Sequence, residues 1–351
     1  VRIFIIDCGG VLGVPLIRWL LEHSDASMVG SDRYHERLAE LLRLPRLTYY
    51  AFGEQEEPEL LRELIANSDV VVDLSSIEQR NGHLETVGEL QEKLRRQTSR
   101  ARECRDANVP LIHVSSADVY GPIEPNGRTM NGRGQEDQPL HEDEALMVAD
   151  PVDRIESARQ NSERMIQQLI YAYGTSGDLD YAVLRIFDTL SSELDMLPIR
   201  STQPLLTQVR NVMLRGEGGA LTVNRDDRRI RTFVYVEDVA ACIGQMALDP
   251  VARSSRQVVN VGNPANQDSA YGVAQRLLDR YEQRAGADAY VRPTFHQFGA
   301  SGNDRLRRPS IDRARELLGW EPRWSLDAMI DAILDRLIVL RANPTGTEPP
   351  R

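Results

Sequence analysis

The chain has 351 residues, 41% hydrophobic and 27% charged, which is enough for one large core or two ordinary ones and matches no fibrous or low-complexity class. Its net charge of −11 argues against a general nucleic-acid binder, which needs a basic face. No apolar run reaches the ~20 residues that span a bilayer. The three cysteines, Cys8, Cys104 and Cys242, are widely spaced and suggest neither a disulfide framework nor a metal site, so a cytoplasmic location is expected.

The chain opens with RIFII, a short β-branched strand that runs into the glycines of DCGGVLG and then a helix at PLIRWLLEH. SDVVVDL, VPLIHVSS and YAVLRIF follow as further strands separated by helical stretches. That alternation predicts βαβ units and a Rossmann-type doubly wound parallel sheet over 1–187 and 230–262. Beyond about residue 190 come a helix, a hairpin-like stretch in ALTVNRDDRRIRTFVYV, a strand at VVNVGN, and helices at YGVAQRLLDRYEQR and LDAMIDAILDRLIVL. These suggest a smaller C-terminal α/β substrate lobe built from 188–229 and 263–341, and a frayed tail over 342–351. The Gly-rich, increasingly acidic stretch 121–144 has no hydrophobic period and reads as a mobile loop, either a solvated excursion or a lid.

A strand followed by clustered glycines and a helix suits a pyrophosphate, because backbone N–H groups and the helix dipole favour an anion there. Asp7 stands first in this loop, ahead of Gly10 and Gly13. A carboxylate ~4 Å from a phosphate oxygen costs about 4 kcal/mol at an effective dielectric of ~20, close to three decades of affinity. The other reading is that Asp7 turns aside to cap the helix.

In order, GGVLG, Asp32, SDVVVDLSS, HVSSADVYG, YAVLRIFD, RTFVYVEDVA, VVNVGNP and LGWEP resemble the extended short-chain dehydrogenase/reductases, the nucleotide-sugar epimerase, dehydratase and decarboxylase family. The resemblance covers nearly the whole chain. Within the group, RRPSI, GWEP and the stretch around ADPVDR are most similar to the UDP-glucuronic acid decarboxylases of the polymyxin-resistance (aminoarabinose) pathway. It implies NAD(H) or NADP(H), no metal, a nucleotide sugar or other anionic small molecule, and a dimer. The family loop GxxGxxG becomes Asp7, Gly10 and Gly13, and Asp32 falls where the family binds the adenosine ribose.

In the family a Tyr and a Lys four residues later provide the base and the cation that lowers its pKa. Here Arg159 and Glu163 take those positions, and of 42 basic residues only Lys93 is a lysine. Arginine is no general base. Arg159 and Glu163 form either an ordinary helix pair or a repurposed acid/base pair. Ser116 matches the family's substrate-bonding hydroxyl and Asp118 a functional glutamate, though each could be a satisfied strand-end residue. Arg231 matches an arginine near the sugar carboxylate, and Arg307 or Arg308 one that grips diphosphate, the alternative being solvated arginines. LRIFDTLSS replaces RPxNxxGP, which sets Asp188 at the asparagine and Ser191 and Ser192 at the Gly-Pro.

Three functions are therefore expected: a pseudoenzyme or redox-neutral catalyst, an NAD-dependent nucleotide-sugar decarboxylase, epimerase or dehydratase with substituted groups, or a regulatory subunit of an active relative. Leu84, Val87, Leu90 and Leu94 on one helix and Met165, Ile166, Leu169 and Ile170 on another form apolar stripes. By the same resemblance these make a four-helix homodimer or heterodimer interface.

Overall fold

The computed structural model describes residues 1–32, 42–43, 45–51, 57–76, 87–120, 139–144, 155–192, 204–215, 220–223, 228, 230–286, 292–297 and 308–342. Side chains of 155–159 lie outside the described set.

The first half alternates strand and helix: β1 (Arg2–Ile6), α1 (Gly13–His23), β2 (Ser27–Asp32), β3 (Leu47–Ala51), α2 (Pro58–Ala66), β4 (Val70–Asp73), α3 (Val87–Ala107) and β5 (Leu111–Ser116). A 3-10 turn (Ala117–Tyr120), α4 (Ile155–Thr175), β6 (Tyr181–Ile186) and β7 (Asp188–Leu190) follow. Then come α5 (Pro204–Arg215), β8 (Ala220–Val223), β9 (Ile230–Tyr235), α6 (Val236–Leu248), α7 (Pro250–Arg253) and β10 (Gln257–Val261). The chain continues through β11 (Gln267–Ser269), α8 (Ala270–Ala285), β12 (Thr294–Gln297), α9 (Asp312–Leu318) and α10 (Leu326–Ala342).

Seven strands form one parallel sheet in the order β10-β6-β5-β4-β1-β2-β3. The inner strands are buried on both faces, which is why they read as continuous apolar runs, whereas the edge strand β3 is largely half-buried or exposed. Successive residues still part company: Ile3 and Ile5 face the α1 and α6 side with Val72 and Leu184, while Phe4 and Ile6 face the α2, α3 and α4 side with Val71 and Ile166. Strand order reverses between β1 and β4, so the crevice at their carboxyl ends is where a ligand is expected in such a fold.

The hairpin expected in ALTVNRDDRRIRTFVYV does not form. β8 pairs in parallel with β12, while β9 lies between β11 and β7 in a separate three-stranded sheet. Both runs have strand composition, but their edges are taken by partners distant in sequence, which local patterning cannot see. β9 therefore belongs to the small sheet, whereas α6 packs on α1 and β10 closes the large sheet. Part of the stretch read as a mobile loop is docked: Leu140 N–H donates to Arg308 O at 2.7 Å, Ser310 N–H to Leu140 O at 2.9 Å, and Glu142 is buried. Residues 121–138 and the tail beyond Ala342 lie outside the described residues.

Candidate functional site

The glycine turn is built on close packing. A Cβ on Gly13 would lie 2.1 Å from Cys8 O, so the first residue of α1 can approach β1 only as glycine. Val14 N–H donates to Gly10 O at 3.3 Å, and Asp32 at the end of β2 accepts from Gly9 N–H at 2.9 Å. Asp32 is buried, and this bond ties the second strand to the glycine turn.

Asp7 adopts φ 57°, the left-handed conformation that aspartate enters more readily than most residues. It lies five residues before Leu12, the N-cap of α1. Its charge attracts Arg100, fully buried on α3. Burial pushes the Arg100 pKa down to about 10 against the opposing pull of Asp7 and Glu103, which leaves the guanidinium charged at neutral pH. The loop's negative charge is thus drawn towards a buried cation that it shares with other carboxylates, an attraction invisible in the loop sequence.

From Arg100 a buried polar network runs beneath the carboxyl edge of the sheet. Arg100 Nη1 donates to Asp73 Oδ1 at 2.6 Å and also to Ser75 Oγ. The Ser75 hydroxyl donates to Asp73 at 2.6 Å, and His113 Nδ1 lies 3.8 Å from Asp73 Oδ2. Gln97 Nε2 bridges to Ser75 Oγ at 3.1 Å and Ser76 Oγ at 2.7 Å. Ser76 and Ser115 hydroxyls donate to Glu163 Oε2 at 3.1 and 3.3 Å, and Lys93 closes the group with an ion pair to Glu163 Oε1 and a bond to Ser76 O at 3.2 Å.

Glu163 is only 1% exposed. This carboxylate is thus sealed under the sheet edge and neutralised by the chain's only lysine, donated from α3. The side chain of Arg159 lies outside the described residues.

The network continues through Gln167, whose Nε2 donates to Ser115 Oγ at 2.9 Å and whose Oε1 accepts from Arg185 Nε and Nη2 at 3.2 and 3.0 Å. Arg185 reaches Glu142 O at 3.1 Å and lies over the Tyr120 ring at 4.8 Å. Sequence reasoning missed Arg100, Gln97, Gln167 and Arg185. A signal existed: Lys93, Gln97 and Arg100 recur at i, i+4 and i+7, as Glu163 and Gln167 do at i and i+4, so each helix carries a polar stripe on its buried face.

Ser116 is half-buried at the end of β5 and its Oγ accepts from Asp118 N–H at 3.1 Å, so both stand together at the start of the 3-10 turn. Arg231 Nη1 donates to Asp188 Oδ1 at 2.9 Å across the β7/β9 pair. Arg308 is half-buried, with its backbone bridging to Leu140, and Arg307 lies outside the described residues. Ser191 and Ser192 line a cleft of about 670 Å³ between α1, α6 and the Gly319–Trp324 turn. There Asp238 accepts from Arg323 and Trp324 N–H groups at 3.0 and 3.1 Å. Among the described residues no group of three His, Cys, Asp or Glu could hold a metal, and no helix is long and apolar enough to cross a membrane.

Of the apolar stripes, Ile166 and Ile170 are core and Leu90 is buried, while Met165 and Leu169 stand 53% and 39% exposed on α4. Leu84 and the Val87 side chain lie outside the described residues.

Known proteins sharpen this picture. The model of the NAD dependent epimerase/dehydratase family matches residues 8–262. UDP-D-apiose/UDP-D-xylose synthase 1 of Arabidopsis thaliana is 24% identical over 95% of this chain and 90% of its own. The crystal structure of the PbgP3 protein from Burkholderia pseudomallei superposes with a TM-score of 0.83 at 20% identity, covering 97% of both chains. That of UDP-glucuronic acid 4-epimerase from Bacillus cereus, in complex with UDP-glucuronic acid and NAD, gives 0.72 at 17% identity over 97% of this chain and all of that one. At these identities the structural likeness establishes the fold.

Proposed function

We propose that this chain, which belongs to the NAD dependent epimerase/dehydratase family, binds a nucleotide sugar and does not run a hydride cycle. The observation that carries this reading is the burial of Glu163 against Lys93, Ser76 and Ser115. A general base must come within hydrogen-bond reach of the proton it removes. A carboxylate held by a buried lysine and two hydroxyls is committed to structure, and its i−4 neighbour is an arginine, which stays protonated at any working pH.

The dinucleotide frame is kept where the acid/base pair is not. Gly13 packs on Cys8, Leu12 is the N-cap of α1, and Arg100 attracts Asp7 from below. Gly10 and Gly13 are the residues to hold a pyrophosphate and Asp32 the one to meet a ribose. NAD, when bound, supplies a hydride acceptor. The attraction between Asp7 and Arg100 favours a second reading, an NAD-dependent nucleotide-sugar decarboxylase, epimerase or dehydratase with substituted groups. Exposed Met165 and Leu169 favour a third, a subunit that pairs through α3 and α4 with a second copy or an active relative.

The test is incubation of the purified protein with NAD and a panel of UDP-, GDP- and dTDP-sugars, with binding followed by calorimetry and products by mass spectrometry. Binding tighter than ~1 mM, about −4 kcal/mol, with the sugar recovered unchanged is the expected result. A decarboxylated, epimerised or dehydrated product gives the second reading its proof. Light scattering on wild type and Met165→Glu tests the third: a dimer that the substitution splits is expected.

A further inference from the structure

Arg231 is flanked by acidic residues on both neighbouring strands. In the β9/β11 ladder it stands directly opposite Asp268, whose carboxylate is turned to Arg276 Nε at 3.0 Å. On the other side Asp188, the first residue of β7, accepts from Arg231 Nη1 at 2.9 Å. Asp188 lies just past the carboxyl end of β6, on the sheet edge where ligands of such folds are received. The two side chains are 20% and 11% exposed, open enough to meet a ligand and shielded enough for charge to act strongly.

We propose that Asp188 is a fixed counterion that occupies Arg231 and so selects the sugar by charge. A neutral hexose or pentose is admitted, and a uronate is turned away, because its carboxylate must either displace Asp188 or lie beside it as a like charge. This assignment rests on the nucleotide-sugar reading above and adds to it the class of sugar.

The experiment compares UDP, UDP-glucose and UDP-glucuronate by calorimetry on wild type, Asp188→Asn and Asp188→Asn with Arg231→Gln, after circular dichroism has shown that each variant is folded. Wild type is expected to bind UDP-glucose at least about tenfold tighter than UDP-glucuronate. In Asp188→Asn, which keeps the shape and removes the charge, UDP-glucuronate gains about tenfold, and the double variant loses that gain. Equal or tighter binding of UDP-glucuronate by wild type overturns the proposal, as does a folded Asp188→Asn with an unchanged ratio. If Asp188→Asn does not fold, the wild-type ratio alone decides. Failure of all three ligands to bind wild type overturns the counterion role as a selector among UDP-sugars, and failure of the GDP- and dTDP-sugars as well overturns the nucleotide-sugar reading itself.

Discussion

The molecule holds two sets of charged residues on paired helices, and they behave as opposites. Between α3 and α4, Lys93, Arg100 and Glu163 are buried with Asp73 in a network whose members are hydrogen-bonded to one another. Between α8 and α10, Arg276, Arg280 and Arg284 alternate with Asp327, Asp331 and Asp335 in a ladder of contacts between 2.5 and 3.4 Å, all at exposures of 28% or more. Both sets recur at helical spacing. The buried set has given up its water, so each charge depends on its partner; the exposed set keeps its water, and each pair adds little.

The largest break in this contrast is Lys93→Met. It leaves Glu163 buried without its counterion and should lower the unfolding free energy by about 3–5 kcal/mol in a urea titration. Lys93→Met with Glu163→Met should recover most of that loss, though not all, because Ser76 and Ser115 then lose their acceptor. Both effects should be nearly independent of salt.

Asp238 sharpens the comparison, since it is buried but faces backbone N–H groups as well as a cation. Asp238→Ala should cost about 1–3 kcal/mol, because the N–H groups of Arg323 and Trp324 lose a buried acceptor. Burial raises its pKa above the ordinary 3.8, against the pull of those N–H groups and of Arg323. The native state therefore holds the proton more tightly than the unfolded chain does. This group's contribution makes stability fall as pH rises from the ordinary value through the raised one. Thermal melts of wild type and Asp238→Asn across that window should differ by this slope.

The smallest effect belongs to the ladder. Arg280→Ala should cost no more than about 1 kcal/mol at low salt. That difference should fade near 1 M salt, where the screening length is about 3 Å. A salt-resistant loss above that size would mean that the ladder is packed as a unit and that the contrast with the buried network is one of degree.

The fold was legible because most strands of the large sheet carry their own apolar run and helical stretches separate them, while the edge strand β3, LTYYA, carries too weak a run to stand out. The misread hairpin shows the limit of that reading: β8 and β9 look like hairpin arms, and only partners at β12 and β7 assign them elsewhere. At the site, Asp7, Asp32 and Glu163 could be singled out from motif spacing. Their electrical environment could not, since Arg100 lies far along the chain from Asp7, and Lys93 from Glu163. Lys93 itself was visible as the sole lysine, yet a motif search looks for a cation four residues from a tyrosine and passes over one delivered by a neighbouring helix. The polar stripes of α3 and α4 were also present in the sequence, but a charged helix is normally read as a solvated one.

A single lysine in 351 residues, with its side chain 7% exposed, gives this protein an unusual chemical handle. Acylating reagents that seek side-chain amines have one target, and in the folded molecule that target lies in the seam between α3 and α4. The rate at which one acyl group is added at Lys93 therefore measures how often the seam parts. Peptide-level mass spectrometry, which separates acylation of Lys93 from that of the exposed N-terminal amine, can follow it without a substitution, and any ligand that steadies the sheet edge should slow it.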